Sequence, residues 1–453
     1  MPELLRRVAI VIAAAAATGA ILAAVPSIGL QFAILVAGAA IVATTLMMRL
    51  DRILNPAIVI VAALYLVGPV GTLLGAAGIG VSTVGLVMLA PVPFVAAALV
   101  LRPGAHQRLG YLAPLVLLAA VGAVSLAWSP NASYGLEKLT LWTLTGILPA
   151  AFILVLASAT PRVMWGAVAL AAVVSAVALI GFGEASALYP GRVALFGDNP
   201  IWTARAAFVG ALVTTFGPFP RIVRVIATPI LIVAGILTVS LGPLLGFAIG
   251  IWAGIAETLR TSVRTADRRQ LGWIGLGFVS GIGVIALLGN SLFGGEGSIL
   301  ASVVVNDPNV TGRATFLDAA LRLFLSSPLL GVGLGGFEST GLIQYPHNLV
   351  AEIGSELGLV GLLALAAWFV LALRGAAGSP ILVALLIATA VFGLFSGSVA
   401  SNAEFWLVSA LAVAQVPVRA RSRSRAPQID REPVPSAAPW SRLGADQAPP
   451  PIS

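Results

Sequence analysis

The chain has 453 residues, of which 59% are hydrophobic and only 9% are charged. A soluble protein carries about a quarter charged residues, so this composition excludes a soluble globular fold and indicates an integral membrane protein. The absence of cysteine and the presence of two histidines exclude disulfide frameworks, thiolate metal centres, cysteine nucleophiles and histidine-rich metal sites. We attribute the net charge of +8 to membrane orientation and expect no nucleic-acid partner.

Apolar segments that could cross a membrane occur along nearly the whole chain. A spanning helix needs about 20 apolar residues, and fourteen segments approach that length. Because the last segment is short and the eighth is marginal, we expect 12–14 spans in an all-α helical bundle. The candidate spans are 8–25, 28–48, 53–75, 81–101, 110–128, 138–159, 163–182, 201–217, 222–240, 242–259, 271–289, 348–373, 380–398 and 403–418.

The positions of the basic residues predict the orientation of this bundle. With the N-terminus in the cytoplasm, 20 of the 25 Lys and Arg residues fall in cytoplasmic loops or in the tail, as the positive-inside rule requires. We therefore expect a multi-pass protein of the cytoplasmic (inner) membrane with both termini in the cytoplasm. Residues 1–418 form the predicted transmembrane domain, and residues 419–453 form a predicted disordered, basic cytoplasmic tail.

Two predicted outer loops, 183–200 and 290–347, interrupt the regular spacing of the spans. Loops longer than about 12–15 residues are usually functional or disordered. Within the longer loop, residues 314–328 carry apolar side chains at helical spacing, which predicts a short amphipathic helix at the outer membrane surface. The glycine-rich run at 331–337 lacks the preceding strand of a dinucleotide fingerprint, so it indicates a tight glycine turn instead.

Four arginines, Arg192, Arg205, Arg313 and Arg322, lie on the predicted outer face. Since orientation signals favour arginine in cytoplasmic loops, each outer arginine needs another explanation. A guanidinium group binds phosphate oxygens bidentately, which makes a phosphate or diphosphate the favoured ligand of Arg192 and Arg313. For Arg322, on the predicted amphipathic helix, we favour a structural role, either as an interface anchor or as a local partner of Asp198, Asp307 or Asp318.

His347 lies immediately before a predicted span, in the sequence Tyr345-Pro346-His347-Asn348. A helix N-terminus disfavours the imidazolium form and keeps the ring neutral, as a general base requires. Glu352 and Glu356 follow on one face of that span, where they could orient the histidine, hold an arginine or fill polar gaps between helices. We count Tyr345, Asn348 and the two glutamates as candidate substrate-binding residues.

Several motifs follow one another in this region. They are Gly312-Arg313, the run 327–337 (SPLLGVGLGGF), Pro346-His347-Asn348 and the run 356–361 (ELGLVG). This order resembles the O-antigen ligase and O-antigen polymerase superfamily of polytopic membrane glycosyltransferases. A second stretch, 191–200 (GRVALFGDNP), resembles the Arg–Gly–Phe–Asn–Pro loop of that family.

The chain departs from the family at one position that bears on anion binding. The family often carries a Ser-Arg pair near the start of a middle span, where this chain has Ser240-Leu241-Gly242-Pro243. We expect Arg205 to replace the missing cation, and we count it as a further substrate-binding residue.

The resemblance implies a GT-C-like, inverting transferase that needs neither metal nor cofactor. Its partners would be an undecaprenyl-diphosphate-linked glycan donor, a glycan or glycolipid acceptor and membrane lipids. Arg192 and Arg313 would neutralise the departing diphosphate, and His347 would take the proton of the acceptor hydroxyl, all on the extracytoplasmic side. Ligase and polymerase activities stay open as alternatives, because acceptor contacts lie in variable outer loops.

A lipid-linked glycan flippase or polysaccharide transporter is the alternative from another class. The sequence contains no visible inverted repeat and no pair of broken helices, which are typical of secondary transporters. Few charges fall at predicted mid-membrane depth. We therefore favour the transferase.

Overall fold

The computed structural model describes residues 109–156, 183–186, 192–195, 199–265 and 308–417. The predicted spans 8–25, 28–48, 53–75, 81–101, 163–182 and 271–289 lie outside the described residues. The same holds for the first part of the long outer loop, 290–307, and for the predicted tail, 419–453.

Helices make up most of the described chain, and they coincide with the apolar segments and the amphipathic segment that the sequence predicts. Short turns of other helical types occur at Gly110–Leu112, Thr143–Ile147 and Gly336–Thr340. The helices are α1 Ala113–Ser125, α2 Ala132–Trp142, α3 Leu148–Leu156, α4 Pro200–Phe216, α5 Arg221–Leu237, α6 Leu241–Thr265, α7 Pro308–Ser326, α8 Leu349–Ala376, α9 Pro380–Phe395 and α10 Ala403–Val413.

Two of the described helices are long and apolar enough to cross a membrane by themselves, α8 and the Leu241–Ser262 part of α6. Helix α7 corresponds to the predicted amphipathic helix 314–328, although it begins earlier, at Pro308. The full count of 12–14 spans stays a prediction, since much of the N-terminal half lies outside the described residues.

Small residues allow the helices to pack closely. Helix α6 makes its most extensive contacts with α9. At Gly250 of α6, an added Cβ would lie 2.8 Å from the carbonyl oxygen of Ala384 and 2.8 Å from the Cβ of Ala388. Glycine and alanine at such positions let two backbones approach each other, which is the usual source of helix association where no water is available.

The described residues are mostly helical, as the all-α prediction requires, and they also include one small two-stranded antiparallel sheet. Strand β1 (Gly183–Ala185) pairs with strand β2 (Val193–Leu195), with Gly183 opposite Leu195. The backbone N–H of Ser186 donates to the carbonyl of Arg192 at 2.8 Å and extends the pairing by one step. This hairpin lies in the predicted outer loop 183–200, where sequence patterning had indicated only a loop.

Helix α8 is interrupted at Gly358, whose backbone is non-helical with φ 63° and ψ −158°. Beyond the break, the N–H of Leu359 donates to the carbonyl of Pro328 at 2.8 Å, and the N–H of Val360 donates to Leu329 at 3.2 Å. In a continuous helix these two donors would pair with carbonyls four residues earlier. A segment outside the helix therefore supplies the acceptors.

The same segment, which we call the glycine loop (residues 327–337), also satisfies the carbonyls that the break leaves behind. The N–H of Val332 donates to Ser355 at 3.0 Å, and the N–H of Gly333 donates to Glu356 at 2.9 Å. An added Cβ at Gly331 would collide with the backbone of Glu356. The loop thus replaces two helical hydrogen bonds with four that cross between segments, which gives partners to two N–H and two C=O groups at the break.

Gly358→Ala tests the interruption of α8. Its φ and ψ lie in a region that only glycine adopts readily, and an added Cβ would collide with the carbonyl oxygen of Leu329. We expect a loss of about 2 kcal/mol or more in stability, measured as a lower thermal unfolding temperature of the full-length protein in detergent.

Gly341→Ala is the matched control, because Gly341 also has a positive φ of 71° but no atom lies within 4 Å of its added Cβ. We expect a smaller loss of stability for this variant. Equal losses for the two variants would contradict the role that we give to the glycine loop.

Candidate functional site

Arg192 and Arg313 line one open cleft. The Arg192 side chain is largely buried, and Arg313 is half-buried. Ser240 and Ser396 add hydroxyl groups to the lining. The apolar part of the lining consists of Ile201, Leu241, Pro243 and Phe395. Two arginines and two serines thus line one cleft, and these residue types are suited to binding phosphate oxygens.

Different elements bring the two arginines to the cleft. Arg192 directly precedes strand β2, so the hairpin determines its position. Arg313 lies in the second turn of α7, which packs against α8. Next to the hairpin, Asn199 caps α4 by accepting a hydrogen bond from the N–H of Ile201 at 3.0 Å, which places Ile201 in the cleft wall.

The first turn of α6 forms another wall of the cleft. This is the stretch where the related family carries a Ser-Arg pair, and here Leu241 stands in place of the arginine. The free N–H groups of a helix N-terminus carry partial positive charge and favour an anion. An added Cβ at Gly242 would lie 2.8 Å from the Cβ of Phe395, so the close approach of α6 to α9 requires a residue without a side chain here.

His347 lies just before α8 and adopts a left-handed backbone conformation with φ 54°. The edge of the Tyr345 ring contacts the imidazole, with 4.7 Å between ring centroids, and Phe316 of α7 lies at 6.2 Å. Burial and, secondarily, the positive charge of Arg313 lower the pKa of His347 below its ordinary value of 6.5. Both effects favour the neutral ring, which is the form that a general base requires.

Helix α7 thus connects the cleft to the histidine, because Arg313 lines the cleft and Phe316, one turn later, packs near His347. The structure brings Arg192, Arg313 and His347 into one neighbourhood from three separate elements.

Asn348 serves as the N-cap of α8. Its Oδ1 accepts a hydrogen bond from the N–H of Ala351 at 2.9 Å, and its Nδ2 donates to the carbonyl of Leu394 at 3.0 Å. Both ends of the amide are therefore engaged with the protein. This side chain fixes the start of α8 beside His347, which differs from the substrate contact that the sequence suggested.

Arg205 is buried, with 1% of its surface exposed, and its guanidinium binds the protein itself. One terminal nitrogen donates to the carbonyl and hydroxyl oxygens of Ser396, at 2.8 and 2.7 Å, and to Oδ1 of Asn402 at 3.1 Å. Glu404 completes an ion pair at 3.4 Å. Arg205 therefore lies behind the cleft wall and supports Ser396, and its burial corrects the expectation that it contacts the substrate directly.

Glu352 and Glu356 hold a lysine that the sequence did not single out. Nζ of Lys138, on α2, lies 2.8 Å from Oε1 of Glu352 and 2.8 Å from Oε1 of Glu356. All three side chains are 1% exposed. The carboxylates thus fill a polar gap between helices, which was one of the alternatives that their spacing left open. Their burial argues against the substrate contacts that we expected.

The one clue to Lys138 in the sequence is its type, since it is the sole lysine among 25 basic residues. Its partners are more than 200 positions away in the chain, so no local pattern predicts them. Arg322, by contrast, forms the expected surface pair with Asp318 at 2.8 Å, and both side chains are exposed.

A comparison with known families bears on this arrangement. Residues 226–366 match the family model described as O-antigen ligase. The matched range contains Arg313, the glycine loop, His347 and the interrupted part of α8, whereas Arg192 and Lys138 lie before it. No curated protein matches the chain.

The match agrees with the resemblance that the motifs indicated, and it supports an integral membrane protein with a role in glycan transfer. Residues 226–366 of this chain are thus similar to the O-antigen ligase family, as the motifs indicated.

Proposed function

We propose that this protein transfers a glycan from an undecaprenyl-diphosphate-linked donor to a sugar hydroxyl of an acceptor. The reaction takes place on the outer face of the cytoplasmic membrane. The observation that carries the proposal is the shared cleft of Arg192 and Arg313, together with the neutral His347 close to Arg313. A diphosphate site beside a general base is what such a transfer needs.

The diphosphate of the donor occupies the cleft. Arg192 and Arg313 each present a planar fork of N–H donors to its oxygens. Negative charge develops on the diphosphate as the bond between the anomeric carbon and the phosphate oxygen breaks. Fixed cations stabilise that charge without reorganising during the reaction.

His347 is the general base. Its neutral imidazole takes the proton of the acceptor hydroxyl while the hydroxyl oxygen attacks the anomeric carbon from the side opposite the diphosphate. The configuration at that carbon inverts, and the electron pair of the broken bond leaves with the diphosphate. Arg313 therefore has two effects, since it binds the leaving group and its charge adds to the effect of burial in lowering the pKa of His347.

Two acceptors fit this chemistry. A ligase would use a glycolipid acceptor, and a polymerase would use another glycan on the same carrier. The arrangement of Arg192, Arg313 and His347 serves both reactions equally.

Transport of a lipid-linked glycan is the second candidate, and the interruption of α8 is the observation that favours it. Broken helices are typical of secondary transporters, where the unwound backbone lines a substrate path. In this chain the glycine loop occupies the break and pairs with its backbone groups. This arrangement supports a rigid outer structure more than a moving gate, so we place transport second.

The first test is glycan transfer by purified full-length variants with lipid-linked donor extracted from the producing cells. His347→Ala should lower the rate about 10²–10⁴-fold, because it removes the general base. Arg313→Lys should also be slow, since a point charge cannot reproduce the bidentate fork. Arg322→Ala is the matched control on the same helix, and it should retain activity because its pair with Asp318 is exposed.

Near-normal transfer by His347→Ala would contradict the assignment of the base. A transporter needs no base, so normal delivery of lipid-linked glycan by His347→Ala, with no transfer by the wild type, would favour the second candidate.

The second test is the pH dependence of kcat/KM for the acceptor. Because the pKa of His347 is lowered, the base should be fully active at pH 7 and above, and the rate should fall only below about 6.5. Arg313→Gln removes a positive charge next to the ring, so the acid limb should shift to higher pH. Arg322→Gln should leave the limb unchanged, and an equal shift in both variants would refute a direct effect of Arg313.

The third test concerns metal ions. Transfer should continue in EDTA, because Arg192 and Arg313 supply the positive charge that the diphosphate needs. The measurement is the transfer rate before and after dialysis against EDTA. Loss of activity that magnesium restores would show that the arginines are insufficient.

A further inference from the structure

A buried ion cluster joins α2 to α8. It consists of Lys138, Glu352 and Glu356, and the Lys138 ammonium also lies over the ring of Tyr134, 5.1 Å from its centroid. One cation and two carboxylates away from solvent are costly within a membrane protein, and breaking such a cluster by removing one partner is strongly destabilising. A cluster of this kind therefore needs an explanation beyond helix packing.

Each carboxylate of the ion cluster also accepts a backbone hydrogen bond from a different segment. Oε2 of Glu352 accepts from the N–H of Val399 at 2.7 Å. Oε1 of Glu356 accepts from the N–H of Phe337 at 3.3 Å. The same lysine thus connects two segments that are distant in the sequence.

One of these segments, residues 396–402, leads to the cleft. Ser396 lines the cleft and accepts hydrogen bonds from Arg205. Asn402, at the other end, also binds Arg205, and its Nδ2 donates to the carbonyl of Ser398 at 2.8 Å. The bond between Val399 and Glu352 therefore anchors the middle of the segment that forms this cleft wall.

The other segment leads to the histidine. Phe337 is fully buried at the end of the glycine loop, and the chain continues from there to His347. The Phe337 anchor is thus ten residues before the proposed base, and the N-cap at Asn348 holds the other side of it. The position of His347 depends on both attachments.

We propose that the ion cluster is a positioning device that sets the distance between the base-bearing segment and the diphosphate cleft. This inference rests on the proposed function, since it takes His347 as the base and the Arg192–Arg313 cleft as the donor site. Lys138 touches neither reactant and acts through the two glutamates. A substitution far from the reacting atoms that displaces the reacting groups by 1 Å can lower the rate about 10²-fold, so Lys138 affects the rate through geometry.

The main experiment uses the triple variant Lys138→Met, Glu352→Gln, Glu356→Gln in full-length protein. The substitutions remove all three charges, retain similar volumes and keep an acceptor for each backbone N–H. Neutral replacement of a buried ion cluster is often tolerated, so the variant should insert and fold. We expect kcat per folded molecule to fall about tenfold or more, while the affinity for undecaprenyl diphosphate changes less than about threefold.

A second experiment compares Glu352→Leu with Glu352→Gln. Both variants retain the ion pair of Lys138 and Glu356, whose charges balance. Glu352→Leu removes the acceptor for Val399, whereas Glu352→Gln retains one. In hydrogen–deuterium exchange, residues 396–402 should exchange about tenfold faster in Glu352→Leu than in Glu352→Gln. Residues 331–337 should exchange at the same rate in both variants. The kcat of Glu352→Leu should also be the lower of the two.

Glu257→Gln is the matched control. Glu257 likewise pairs with a cation, Arg260, and accepts a backbone N–H, that of Gly378, but it lies in α6 away from the glycine loop and the 396–402 segment. This variant should leave kcat and exchange in both segments unchanged.

Two results would overturn the inference. One is a kcat per folded molecule equal to that of the wild type in both the triple variant and Glu352→Leu. That result would mean that the cluster contributes only to stability. The other is unchanged exchange at 396–402 in Glu352→Leu. A failure of the proposed function would give a different result, namely full transfer activity in His347→Ala. The exchange measurements would still test whether the cluster anchors the two segments.

Discussion

Four backbone hydrogen bonds between the glycine loop and the interrupted helix α8 fix the loop against this helix. Away from water, a helix cannot break unless other groups satisfy its freed N–H and C=O groups. Residues 328–333 supply these partners, and Gly358 adopts the backbone conformation that the break requires. The segment that runs from the glycine loop to His347 is therefore attached to helix α8, which follows it.

The basic residues near this attachment have two different roles. Lys138 and Arg205 are buried, and their cationic groups bind carboxylates, carbonyls and hydroxyls of the protein. Arg192 and Arg313 line the cleft in which we propose that the donor diphosphate binds. Because buried cations fix the framework, the cleft arginines and His347 can hold a preorganised geometry, which is the main requirement for electrostatic stabilisation of a departing diphosphate.

The sequence predicts the local features of this structure better than the long-range ones. Hydropathy locates the described helices within a few residues, since apolar length is a strong signal. The strands of the hairpin, Gly183–Ala185 and Val193–Leu195, are too short to give a recognisable alternation of polar and apolar residues. The break at Gly358 is one glycine among 49. The partners of Lys138 and Arg205 lie nearly 200 or more residues away, so only the folded chain reveals that these two cations have structural roles.

A structure of the full-length protein with undecaprenyl diphosphate tests the central claim most directly. The account predicts that the two phosphate groups lie between the guanidinium groups of Arg192 and Arg313, with the imidazole of His347 facing the side from which an acceptor would approach. Phosphate density elsewhere, with the cleft between the two arginines empty, would contradict it.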